Sequence, residues 1–98
     1  MKYNLTEKLK FSEDPVLVIQ DKELTIKSDA VTVLQLMDTL KEKGEATAAR
    51  DATELLLSPA DRKKLSLLNL KMDDYLTVVR TMVQVALGSD PDEDQPGE

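Results

Sequence analysis

The hydrophobic rhythm of this chain changes from a two-residue to a helical period at Ser28-Asp29, and that change separates strand from helix. Before it, Val16-Leu17-Val18-Ile19-Gln20 is a short run rich in β-branched residues, and Leu24-Thr25-Ile26-Lys27 alternates apolar with polar. Two such runs around Asp21-Lys22-Glu23 predict a β-hairpin over residues 16–27. Asp21-Lys22 lacks the Asn-Gly signal of the tightest hairpins, so the turn type stays open. A two-stranded ribbon is marginal in water and needs a helix on one face. The helix follows at once. Ser28-Asp29 supplies an N-cap, and Ala30, Val33, Leu34, Met37 and Leu40 recur on one helical face. Lys41 and Lys43 suit the negative end of the dipole, and Gly44 stands at the expected C′ position.

Three further helical segments are legible. Residues 45–57 are alanine-rich (Ala46, Ala48, Ala49, Ala52) and close on Leu55-Leu56-Leu57, a composition that lets a neighbouring helix approach closely. Ser58-Pro59-Ala60-Asp61 is a helix start, with Ser as cap, Pro at the first helical position and an acid at the third. It opens a short helix to about Leu68. Leu70 and Tyr75 then stand at hydrophobic-staple spacing around Lys71, with Asp73 and Asp74 in the positive first turn. Met72, Tyr75, Leu76, Val79, Met82, Val83 and Ala86 mark the inward face of the last helix, and Gly88 ends it. Upstream, Thr6-Glu7-Lys8-Leu9 predicts a turn of helix capped by Asn4 or Thr6, with Leu5, Leu9 and Phe11 tucked against the domain. Pro15 interrupts it and pushes Asp14 out of the helical region.

The expected fold class is α+β: an N-terminal β-hairpin packed on three or four α-helices, residues 1–87 forming one small domain. Residues 88–98 hold no large apolar side chain, two prolines and five acids, so they are expected to form a disordered acidic tail. The tail also decides what the net charge of -6 means: residues 1–87 carry 14 of the 19 acids and all 13 bases, so the body is nearly neutral. Acidity therefore belongs to the appendage and does not point to a basic partner for the fold.

The chain contains no Cys, His or Trp. That removes disulfides, thiol nucleophiles, imidazole metal sites and His-based general bases. Ser58, Ser66 and Ser89 have no His to activate them. Asp73 and Asp74 are adjacent on a helix, roughly 100° apart, and do not face each other as a catalytic dyad would. Asp90, Asp92 and Asp94 alternate like calcium-loop ligands, but the loop's central Gly and closing Glu are missing and Pro91 intrudes. Arg62-Lys63-Lys64 is the one basic triplet, without the aromatics or further bases of a nucleic-acid surface. No catalytic, cofactor or metal residue is expected, and no nucleic acid, membrane or small-molecule substrate. No apolar run approaches the roughly 20 residues that span a bilayer. Met1–Glu7 lacks the apolar stretch of a signal peptide, so the expected location is the cytoplasm.

What the residues do offer is surplus apolar width. Val78, Val85 and Leu87 broaden the last helix beyond a one-sided stripe. As core, that helix packs on the helix of residues 29–43 and on the hairpin. As a contact surface, its wider flank (Val78, Met82, Val85) receives an amphipathic partner helix, the recognition mode in which apolar anchors recur at helical spacing. The hairpin rim is a second candidate, because unpaired strands invite another chain and Val16 and Val18 are unusually apolar for so small a ribbon. Helices covering that ribbon are the simpler alternative.

A resemblance sharpens the reading. Leu55-Leu56-Leu57-Ser58-Pro59-Ala60-Asp61, Lys64-Leu65-Ser66-Leu67-Leu68-Asn69-Leu70 and Met72-Asp73-Asp74-Tyr75-Leu76-Thr77-Val78-Val79, ending at Gly88 with an acidic tail, resemble the tail assembly chaperones of long-tailed bacteriophages and prophages. The leader around Leu5–Phe11, the hairpin and the helix after Asp29 are similar to versions from phages of Gram-positive hosts. Lys71 departs from the Ser or Asp cap frequent in that family. The resemblance implies a non-enzymatic protein in the bacterial host cytoplasm that coats the helical tape measure protein and keeps it soluble until tail tube protein assembles around it. Many members of the family are made in two lengths by ribosomal frameshifting. The competing expectation is a small homo-oligomeric phage structural or regulatory adaptor; a small hydrolase would require converging acids in a cleft.

Overall fold

A computed structural model describes residues 1–89. The expected tail falls almost wholly on residues 90–98, outside the described residues. The chain forms an α+β fold in which a hairpin precedes four helices: β1 (Val16–Ile19), β2 (Lys22–Thr25), α1 (Ala30–Glu42), α2 (Glu45–Leu56), α3 (Pro59–Leu67) and α4 (Met72–Ala86). The strands pair antiparallel, with Leu17 opposite Leu24 and Ile19 opposite Lys22. That register leaves Gln20-Asp21 as a two-residue loop. Gln20 takes a φ of 57°, a left-handed conformation that hairpin loops favour and that glycine adopts most easily.

Alternation sorts the hairpin's faces. Leu24 and Ile26 are buried, Leu17 and Ile19 half-buried, and Val16 and Val18 point outward. The inner face rests on α3, while α2 is the hub against which α1, α3 and α4 all pack. Leu24, Ile26, Leu36, Leu56, Leu57 and Met82 form the sealed centre of the core. Among the described residues every buried side-chain nitrogen or oxygen has a hydrogen-bond partner, and no helix is long and apolar enough to cross a membrane.

Helix starts follow local chemistry. Asp29 caps α1, its carboxylate accepting from the Thr32 amide at 3.1 Å and from the Thr32 hydroxyl at 2.8 Å. Ser58 caps α3 by accepting from the Asp61 amide at 3.2 Å, with Pro59 in the first turn. Lys71 gives α4 no side-chain cap. Gly88, at φ 90°, closes α4: its amide bonds to the Val85 carbonyl while the Ser89 amide bonds back to Gln84, a Schellman closure.

Gly44 follows the C-cap Lys43 as the expected C′ residue, with φ -66° instead of a left-handed closure, and it serves at once as the N-cap of α2. Two local expectations are corrected. The inward side chain of α1 is Leu36, flanked by half-buried Val33; Leu34 and Met37 face outward. Apolar residues cover more than half of the circumference of α1, so periodicity fits two faces, and packing on α2 selects one. The N-terminal leader does form a single 3-10 turn over Thr6–Lys8, and Asn4 accepts from the Thr6 amide at 3.0 Å. Its Leu5, Leu9 and Phe11 remain exposed instead of tucking in.

Candidate functional site

An open groove of about 810 Å³ runs between the end of α1, the first half of α2 and one flank of α4. Leu40, Ala48, Ala49, Leu76, Val79 and Val83 form its apolar lining. The groove has a simple cause. Ala48 and Ala49 carry only methyl groups, so α2 leaves unfilled space opposite the larger side chains of α4. Charges sit at the rim: Arg80 bonds to the Glu45 carboxylate at 3.0 Å, joining α4 to the start of α2, and Lys43 pairs with Asp51 at 3.2 Å. Both lie at the surface, with Asp51 half-buried, and such pairs fix orientation more than they add stability.

The groove's chemistry is contact. Its two lining hydroxyls are engaged with their own helix, Thr77 donating to the Asp73 carbonyl at 3.0 Å and Thr81 to the Thr77 carbonyl at 2.9 Å. What the lining offers is methyl, isobutyl and isopropyl surface with ions at the edges. Such a surface accepts one apolar face of a helix, with polar residues of the visitor meeting the rim.

The residues expected to contact a partner do not assemble into one surface. Met82 is a correction: it is 0% exposed, at the centre of the core. At about 100° per residue it points between Val79 and Val85, along the axis by which α4 faces the domain. Val78 and Val85 are half-buried on the flank opposite Leu76 and Val83, with Val78 packed against the core. Val16 and Val18, at 52% and 61% exposed, stand open on the outer face of β1. The broad stripe on α4 is present, and the groove lies on the flank of Leu76 and Val83, across the helix from Val78 and Val85. The signal that locates the groove is the Ala48-Ala49 pair on the facing helix.

Other polar clusters have structural occupations. Arg62 donates to the Glu54 and Leu57 carbonyls, both at 3.0 Å, satisfying the end of α2. Lys64 bonds to the Glu23 carbonyl at 3.2 Å and pairs with Asp61 at 3.3 Å. Two members of the basic triplet are therefore internal braces. Asp73 and Asp74 lie exposed in the first turn of α4. Among the described residues no group of three or more acids could hold a metal ion.

No family model matches the chain, and neither a curated protein nor a solved structure matches it.

Proposed function

We propose that this chain is a non-enzymatic assembly chaperone that shields the apolar face of a long helical client, in the manner of the phage tail assembly chaperones that its sequence resembles. The observation that carries this reading is the α2–α4 groove, floored by alanine, walled by Leu76, Val79 and Val83, and bounded by ion pairs at its rim. Alanine on one wall admits a visiting helix closely, and larger aliphatics on the other give it apolar area to cover. Burial at about 25 cal/mol per Å² supplies the attraction, opposed by the entropy of association. A groove of this size holds a few side chains, so each contact is weak. Many copies along one client bind through effective concentration, which suits a coat that is later shed. In this reading the client is the tape measure protein, tail tube protein displaces the coat, and the work takes place in the bacterial cytoplasm.

The test is light scattering of a purified tape measure fragment diluted from denaturant with and without this protein. A chaperone holds the fragment in solution at stoichiometric ratios, and Leu76→Lys, which places a charge in the groove, abolishes the protection while far-UV circular dichroism stays unchanged. Aggregation at the same rate with and without the wild-type protein refutes the reading.

A further inference from the structure

A second apolar face lies away from the groove. On α1, Val31, Leu34 and Met37 are 67%, 61% and 51% exposed and surround the side of the helix opposite buried Leu36. The leader adds exposed Tyr3, Leu5, Leu9 and Phe11. The leader's root is fixed beside the start of α1, where the Asp14 carboxylate accepts from the Ser28 amide at 3.2 Å and its hydroxyl at 2.9 Å. The leader's root is thus tied to the start of the helix that carries the exposed face, and the domain itself covers neither feature.

We propose that this face binds a second copy of the chain, α1 against α1 in antiparallel order about a two-fold axis near Leu34, each leader lying along the other copy's helix. The spacing is self-complementary: a crossing centred on Leu34 sets Val31 of each copy against Met37 of the other, the reciprocal pattern an isologous interface requires. It also brings the root of each leader beside the second half of the opposite α1.

Area makes the leader necessary. A large apolar side chain covers on the order of 100 Å² when fully buried, so the three α1 side chains at these exposures supply roughly 200 Å². The four leader residues raise this to roughly 400 Å² of apolar surface per copy. Homodimer interfaces are about 65% apolar, so the total approaches about 600 Å² per copy, the lower edge of specific interfaces. The dimer is therefore weak and depends on both features. It rests on α1 and the leader and stands whether or not the α2–α4 groove holds a client.

Sedimentation velocity of the full chain over a wide concentration range tests this directly. A monomer–dimer equilibrium is expected, abolished by Leu34→Glu and weakened at least tenfold by the double substitution Leu9→Ser with Phe11→Ser. The chain has no cysteine, so Leu34→Cys gives a geometric readout that does not depend on the stability of the charge variant. Under mild oxidation it forms a disulfide-linked dimer many times faster than the control Lys63→Cys on α3. A monomer at every concentration, a dimer that survives Leu34→Glu, or equal cross-linking rates at the two positions would overturn the proposal.

Discussion

The carboxylate of Asp61, in the first turn of α3, accepts a hydrogen bond at 3.0 Å from the amide of Thr25 in β2, across 36 residues of chain. A buried acid thereby joins the hairpin to the helices and satisfies an amide at the end of a two-stranded ribbon. Hydrogen bonds to charged groups contribute about 1.5–3 kcal/mol, and the exposed end of the Asp61–Lys64 pair adds little. Asp61→Ala should therefore lower stability in urea by about 2–3 kcal/mol, because it leaves the Thr25 amide unpaired. Lys64→Ala should cost well under that.

The buried Thr53 hydroxyl donates to the Ala49 carbonyl at 2.9 Å and meets the Tyr75 hydroxyl at 2.8 Å, which ties α4 to α2 just below the groove. Tyr75→Phe should cost about 1 kcal/mol. A double-mutant cycle with Thr53→Ala should return a coupling of about 0.5–1.5 kcal/mol. A coupling near zero would mean that the hydroxyl pair does not help to hold the two helices together.

Thr32 bonds to Asp29 first through its hydroxyl and then through its amide, and these hold the carboxyl's pKa below its ordinary value of 3.8. A group with a lowered folded pKa stabilises above its unfolded pKa and loses that contribution as pH falls through the folded one. The stability gap between the wild type and Asp29→Asn should thus be constant from pH 7 to 5 and narrow below about pH 4. Chemical denaturation at a series of pH values measures it.

Glycine positions separate by conformation. At Gly88, φ 90° makes Gly88→Ala cost about 1 kcal/mol. At Gly44, φ is -66° and a Cβ would meet nothing within 4 Å, so Gly44→Ser should gain a few tenths of a kcal/mol as a better cap for α2. Thermal unfolding of the two variants should move in opposite directions.

Sequence patterning specified the elements better than it specified their orientations. The hairpin was legible because Leu17, Ile19, Leu24 and Ile26 alternate with outward residues, and the starts of α1 and α3 because Asp29 and Ser58 are caps with local, short-range chemistry. The inward face of α1 was not, because Val31, Val33, Leu34, Leu36, Met37 and Leu40 cover more than half of the helix and only the position of α2 chooses among them. The groove was half legible. The alanines of α2 marked a place of close approach, but whether Leu76 and Val83 or Val78 and Val85 would line it depends on how α4 is rotated, and hydropathy is nearly equal on the two flanks. The buried bond between Asp61 and Thr25 left no mark in local sequence, since a first-turn acid already has a reason to be there.

Amide chemical shifts of the protein, recorded while an amphipathic helical peptide from a tape measure protein is added, locate the surface that holds the client. Shifts are expected to cluster at Ala48, Ala49, Leu76, Val79 and Val83, to saturate with peptide and to be absent in Leu76→Lys. Shifts confined to Val16 and Val18 or to the Val78–Val85 flank, or no shifts at millimolar peptide, would contradict the proposed site.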